Sequence, residues 1–141
     1  MATVDVVDET FLAVPPERLA VEFADPAEWR RLWPDLALRV FADRGAQGLR
    51  WSVVGDAWQG SMEVWLEAVG DGTVLHYFLR VDPVGAPLAR REAVREGVRR
   101  QRAAKTLAFA LKDRLEAGRP PGVPPALWRE EAAGERPATS P

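Results

Sequence analysis

The fold is decided by one stretch of the chain: Trp58-Gln-Gly-Ser-Met-Glu-Val-Trp-Leu-Glu67, then Gly70-Asp-Gly72, then Leu75-His-Tyr-Phe-Leu-Arg-Val81. Apolar residues recur at every second position on both sides of the glycines, which is the period of a β-strand with one buried face. A Gly-Asp-Gly sequence between two such runs is typical of a tight hairpin turn. The stretch therefore predicts two long antiparallel strands.

The same period of two continues towards the N-terminus. One run comprises Leu36, Leu38 and Val40, a second comprises Leu49, Trp51 and Val53, and glycines 45, 48 and 55 fall in the turns. Residues 3–14 are rich in β-branched and apolar residues and end at a Pro-Pro pair, which predicts a first strand. Five strands are therefore expected, four of them in a meander.

Prolines mark the boundaries of the predicted helices. Pro15-Pro16-Glu17 begins one short helix, and residues 27–33 form a second that Pro34 stops. Residues from about 88 to 117 lack proline, contain many strong helix formers and are followed by Gly118. The prediction is an α+β fold in which a curved antiparallel β-sheet packs against a long C-terminal helix, with two short helices after the first strand. Residues 1–121 would form this domain, and residues 122–141 a Pro/Ala/Glu-rich, largely disordered tail.

Composition limits the classes of function. The 141 residues include 19 Lys+Arg and 21 Asp+Glu, a net charge of −2 that does not favour nucleic acid as a partner. The absence of cysteine and the single histidine, His76, exclude thiolate and multi-histidine metal sites, so neither a metal nor a cofactor is predicted. No basic n-region or membrane-length apolar run is present, which favours a cytoplasmic protein without membrane insertion.

No catalytic motif is recognisable. The sequence has neither a glycine-rich phosphate loop nor a nucleophile elbow around any of its serines. His76 and Tyr77 could supply acid–base chemistry, but neighbours in an alternating strand point to opposite faces of the sheet. Catalytic residues therefore stay unknown.

The long helix changes character along the face predicted to meet the sheet. Leu111 and Leu115 can fill space there, whereas Ala93, Gly97 and Ala104 fill almost none. Either small residues let the helix approach the sheet closely, or a ligand space lies between them. The second interpretation predicts eight ligand-binding residues: Trp51, Trp58, Met62, Tyr77, Leu79, Arg100, Ala104 and Leu107. Arg100 would then offer an internal charge to an acidic group.

A second apolar stripe lies away from this face. It consists of Val94, Val98 and Phe109, and an isolated monomer would have to leave it exposed. The stripe could take Trp128 of the tail or a second subunit, so a homodimer or an interaction module is a further hypothesis. The basic residues of the helix have acidic neighbours at helical spacings and are interpreted mainly as a solvated charged face.

Local sequences along residues 3–118 resemble the START-like superfamily, which includes polyketide cyclase/dehydrase and lipid-transport proteins. The similar segments are Phe11-Leu-Ala-Val-Pro-Pro-Glu17, Asp25-Pro-Ala-Glu-Trp29, Trp33-Pro34, residues 60–67, Asp71-Gly72, Leu75-His-Tyr77 and residues 111–118. Several of them look like an actinobacterial-type branch whose members mostly lack an assigned activity. The resemblance implies a helix-grip fold, usually with six or seven strands, so a further break inside 36–54 or 57–82 would be needed to match it.

The resemblance also implies a hydrophobic cavity between sheet and helix. The leading hypothesis is therefore a carrier or sensor that binds a hydrophobic small molecule, either a lipid or a polyketide-like compound. The alternative is an aromatase/cyclase in which Tyr77 or Arg100 polarises a carbonyl group. Catalytic positions vary within the family, so none is carried over, and the fold alone does not establish an enzyme.

Overall fold

The structure is a computed structural model that describes residues 2–116. Its elements are β1 (Val4–Leu12), α1 (Pro16–Ala20), a 3₁₀ turn (Val21–Phe23), α2 (Pro26–Leu32), β2 (Leu38–Asp43), a second 3₁₀ turn (Gly45–Gln47), β3 (Gly48–Val54), β4 (Trp58–Val69), β5 (Gly72–Pro83) and α3 (Arg90–Leu115). The predicted domain boundary at residue 121, the tail and Trp128 lie outside the described residues.

One antiparallel sheet holds all five strands of the described range, in the order β1-β5-β4-β3-β2. The α+β fold predicted from the sequence is confirmed, with a long C-terminal helix and two short helices after the first strand. Both β4 and β5 run for twelve residues. The further break that six or seven strands would require is therefore absent from residues 2–116.

The face of the sheet predicted to point inward is the buried one. Met62, Val64 and Leu66 of β4 are buried, as are Tyr77 and Leu79 of β5. Gly60 sits on the same strand with φ of +148°, where a Cβ atom would collide with the carbonyl of Arg80. Only glycine tolerates both conditions, so this residue allows β4 and β5 to approach.

Helix α3 covers the edge of the sheet formed by β1. Side chains of the helix donate hydrogen bonds to alternate backbone carbonyls of that strand: Gln101 to Val7 at 3.1 Å, Lys105 to Glu9 at 3.1 Å and Lys112 to Phe11 at 2.9 Å. These carbonyls would otherwise form an unpaired strand edge. The helix therefore protects the edge strand as well as the core.

The sheet-facing arc of α3 agrees with the prediction in its C-terminal part. Arg100, Ala104, Ala108, Leu111 and Leu115 are buried. The helix begins at Arg90 and ends at Leu115, two residues inside the predicted limits at each end. The first turns of the helix bury no side chain fully, and Ala93 and Gly97 are only half-buried.

Short helix α2 is held by its ends. Asp25 accepts a hydrogen bond from the backbone N–H of Ala27 at 2.9 Å, which caps the N-terminus next to a proline. No residue within the helix is buried, whereas Trp33, which follows it, is 7% exposed. The tryptophan therefore anchors the helix to the core.

Candidate ligand-binding site

Four aromatic side chains meet between the inner face of the sheet and the short helices. Trp51 of β3 is fully buried at their centre. Trp29 meets its ring edge-on with 5.4 Å between ring centroids, and Trp33 lies 5.8 Å away. Trp33 also stacks on Tyr77 of β5, with 6.1 Å between centroids and 2° between the ring planes. We call Trp29, Trp33, Trp51 and Tyr77 the aromatic cluster.

The aromatic cluster contains polar groups that the fold leaves poorly satisfied. Among the described residues, the buried Nε1–H of Trp51 has no hydrogen-bond partner. The hydroxyl of Tyr77 donates to the thioether of Met62 at 3.4 Å, a weak acceptor. A buried donor without an acceptor costs about 1–3 kcal/mol. A ligand that carries an acceptor could recover part of that cost.

The phenol of Tyr77 is held in its neutral form. Burial raises the pKa of Tyr77 above its usual value, and the nearby charge of Arg100 opposes this only in part. The hydroxyl therefore keeps its proton at neutral pH. It can donate a hydrogen bond but is a poor general base.

Arg100 of α3 is bound by two carboxylates at the border of the cluster. Its guanidinium, 6% exposed, donates to Asp35 Oδ1 at 3.0 Å and, through Nε, to Glu96 Oε2 at 2.9 Å. The second Asp35 oxygen also accepts from Arg100. Arg99 joins both acids, and the ring of Trp58 lies 5.7 Å from the Arg100 guanidinium. The charge expected to serve an acidic ligand is thus already neutralised by the protein.

This network lowers the pKa of both carboxyl groups. Burial alone would raise the pKa of Asp35, but the hydrogen bonds and charge of Arg100 outweigh it and leave the pKa below its usual value. The hydrogen bond from Arg99 is the largest cause of the lowered pKa of Glu96. Both acids are therefore charged at neutral pH.

The structure brings most of the predicted ligand-binding residues near one another. Met62 and Tyr77 are in contact, Arg100 lies over Trp58, and Trp51 and Leu79 are fully buried on the same face. Ala104 is buried on α3. Leu107 instead lies in a groove between α3 and the short helices. Whether these residues bind a ligand stays a prediction.

Three members of the site were missed by sequence reasoning: Trp29, Trp33 and Asp35. Their signal is a pair of tryptophans at helical spacing followed directly by Pro34 and an acid. Such spacing is typical of side chains that share a helix face, but it does not show which surface that face covers.

Open space borders the site beside the short helices. A hollow of about 320 Å³ lies between the short helices and β2–β3, with a largely apolar lining of Ala20, Val21, Ala24, Trp29, Val40, Asp43, Gly45 and Leu49. On α3, a Cβ atom added to Gly97 would meet nothing within 4 Å beyond its chain neighbours and the nearby backbone of its own helix. The helix therefore does not approach the sheet closely at Gly97, contrary to the close-packing interpretation.

A second buried polar cluster, not foreseen from the sequence, joins β1 to α3. Asp8, 5% exposed, pairs with Lys105 at 2.9 Å and accepts from Thr10 at 3.2 Å. Lys105 also donates to the Thr10 hydroxyl at 2.9 Å. All polar groups of this cluster have partners, so it fixes the helix on the strand.

His76 lies on the opposite face of the sheet from Tyr77, as predicted. It is buried beneath Trp65, with 4.2 Å between ring centroids, and lies between Glu67 and Glu9 at 2.9 and 3.4 Å. The described residues contain no group of three or more side chains that could hold a metal ion. No helix among them is long and apolar enough to cross a membrane.

Comparison with known proteins identifies the architecture. The chain is similar to the Aha1 dimer from Colwellia psychrerythraea, with a TM-score of 0.61 and 14% identity over 83% of this chain and 99% of that one. The fold is the helix-grip fold. CalU16 from Micromonospora echinospora is also similar, with a TM-score of 0.52 and 16% identity over 73% of each chain. Mll3558 from Rhizobium loti has a TM-score of 0.50 and 19% identity over 74% of this chain and 94% of that one.

These likenesses concern the helix-grip fold alone, because all three identities are below 20%. No protein-family model and no curated protein matches the chain. Function must therefore be argued from the site.

Proposed function

We propose that the protein is a carrier or sensor that binds an apolar small molecule, of lipid or polyketide-like chemistry, bearing a hydrogen-bond acceptor. The observation that carries the proposal is the unpartnered Nε1–H of Trp51, buried in the same aromatic cluster as Tyr77, whose hydroxyl donates to the thioether of Met62. Small-molecule sites are apolar spaces with a few convergent polar groups. The aromatic cluster has this composition, and the resemblance to the START-like superfamily favours the same function.

Binding requires a rearrangement of the short helices. The ring of Trp33 stacks on that of Tyr77. The ring of Trp29 contacts Trp51 and also lines the 320 Å³ hollow. None of the residues of α2 is buried. We propose that a ligand enters through the hollow and displaces the ring of Trp29 or Trp33.

Two probes that differ by one acceptor test the proposal. 9-Fluorenone and fluorene have the same tricyclic frame, but only the ketone can accept hydrogen bonds from Trp51 and Tyr77. One net hydrogen bond of about 0.5–1.5 kcal/mol corresponds to roughly a 2- to 12-fold difference in affinity. We expect fluorenone to raise the melting temperature and to bind more tightly than fluorene in calorimetric titration.

Matched variants locate the binding. Trp51→Phe removes one of the two donors but keeps an aromatic ring, and should weaken the preference for the ketone. Trp65→Phe, on the opposite face of the sheet, is the control and should retain it. If neither compound binds the unmodified protein, or if Trp51→Phe keeps the full preference, the proposal is wrong.

A cyclase is the second candidate because the neutral hydroxyl of Tyr77 could polarise a carbonyl group of a bound polyketide-type chain. Arg100 is less suited to this role, since Asp35 and Glu96 already occupy its guanidinium. If the Tyr77→Phe protein converts a polyketide-type substrate at the same rate as the parent protein, this mechanism is excluded.

An interaction module is the third candidate. Val94, Val98 and Phe109 are 60%, 44% and 52% exposed, so the outer stripe of α3 is available to a partner. The structure of Aha1 is described as a dimer, and we propose a homodimer through this stripe as the form to test. A monomeric mass that does not change with concentration would contradict it.

A further inference from the structure

An apolar groove runs along α3 where the helix passes the short helices, outside the aromatic cluster. Its volume is about 490 Å³, and Phe23, Leu32, Leu107 and Leu111 provide large apolar side chains. Between them the helix presents only small side chains, those of Ala103, Thr106 and Ala110. Small residues flanked by large ones leave room for an inserted side chain.

The charges of the groove are paired with one another. Glu22 accepts hydrogen bonds from Arg114 at 2.9 and 3.1 Å, and Glu28 forms an ion pair with Arg31 at 2.7 Å. Among residues 2–116, these four are the charged members of the groove lining. Their charges cancel, so the groove favours an uncharged apolar occupant over an ion.

The chain leaves α3 at one end of this groove. Arg114 lines the groove and lies two residues before Glu116, the last described residue. The carboxylate of Glu116 accepts a hydrogen bond from the backbone N–H of Ala13 at 2.8 Å. The following segment therefore starts from a fixed point beside the groove.

That segment carries a suitable apolar pair. Residues 117–128 read Ala-Gly-Arg-Pro-Pro-Gly-Val-Pro-Pro-Ala-Leu-Trp, in which Leu127 and Trp128 are the large apolar residues. Eleven residues at about 3.1 Å each in polyproline II conformation span about 34 Å. The groove extends along α3 from residue 114 to residue 103, about 17 Å at 1.5 Å per residue. The segment is therefore long enough to turn back and reach any part of it.

We propose that Leu127 and Trp128 of the same chain dock in the groove between α3 and the short helices. A tether of this length keeps the pair at an effective concentration in the millimolar range, which favours it over a free partner. Four prolines limit the entropy lost on docking. The docked pair would cover the exposed parts of Leu107 and of α2 next to Leu32.

Disulfide trapping tests the placement directly, because the natural chain has no cysteine. Thr106→Cys puts a thiol in the groove, and Arg129→Cys puts one beside Trp128 without removing the tryptophan. The control pairs Arg129→Cys with Val98→Cys, on the outer stripe of the same helix. Both α3 positions are exposed, so neither change should disturb folding.

Under mild oxidation of dilute protein, we expect an intramolecular disulfide in the Thr106/Arg129 pair, at least about tenfold faster than in the Val98/Arg129 pair. Adding Trp128→Ala should remove this advantage. Equal or faster trapping at Val98, a disulfide only between chains, or an advantage that persists in Trp128→Ala would each overturn the proposal.

Discussion

Replacing Arg100 by methionine would remove a buried charge at the border of the candidate site. The guanidinium is 6% exposed and makes three hydrogen bonds, two with Asp35 and one with Glu96. Breaking a buried ion pair commonly costs 3–5 kcal/mol. Asp35 is partly exposed and both acids keep Arg99, so we expect a lower loss, about 2–3 kcal/mol in the free energy of unfolding at pH 7.

The loss should depend on pH with a defined sign. Asp35 and Glu96 have lowered pKa values in the folded protein. Their stabilising contribution is therefore present above their unfolded pKa values and is lost as the pH falls through the folded ones. Because this contribution comes from pairing with arginine, the difference between the parent protein and Arg100→Met should shrink between about pH 5 and pH 3.

Urea denaturation followed by tryptophan fluorescence measures both effects. Arg102→Met, an exposed position on the same helix, is the matched control and should change the free energy of unfolding by less than about 0.5 kcal/mol. The reasoning would be refuted if Arg100→Met cost no more than this control at pH 7. It would also be refuted if the cost were the same at pH 3.

Three further predictions concern the free energy of unfolding. Gly60→Ala should lower the free energy of unfolding by at least about 2 kcal/mol, because φ is +148° and a Cβ atom would collide with the Arg80 carbonyl. Gly97→Ala in α3 should raise it by about 1 kcal/mol, because alanine has the higher helix propensity and an added Cβ has room. Urea denaturation measures both, and a destabilised Gly97→Ala protein would mean that the space beside α3 is filled. Lys105→Met should lower the free energy of unfolding by about 1–2 kcal/mol, because Asp8 is buried but its lysine is 38% exposed and Thr10 still donates to it; a loss below about 0.5 kcal/mol in the same assay would contradict this.

The sheet and the long helix could be predicted because their signals are local. The period of two fixed the inner face of β4 and β5, and the glycines around Asp71 marked the turn between them. The buried arc of α3 likewise followed from helical spacing.

The composition of the site could not be predicted, because it depends on contacts between distant segments. Asp35 binds Arg100 across 65 positions of sequence, and Lys105 binds Asp8 across a gap of nearly one hundred. The packing of Trp29 and Trp33 on Trp51 and Tyr77 depends on how the short helices fold over the sheet. The spacing of Leu107 places it on the sheet-facing arc of α3, but its side chain lines the groove between α3 and the short helices.

The proposed ligand site is tested most directly by the indole N–H signals of the six tryptophans in a ¹⁵N-labelled protein. Trp51→Phe assigns the decisive signal by removing it. On titration with 9-fluorenone we predict that the Trp51 Nε1–H signal shifts more than that of Trp65 on the outer face, because only Trp51 gains an acceptor. Binding of the ketone that leaves the Trp51 signal unchanged would contradict the proposal that this buried donor recognises the ligand.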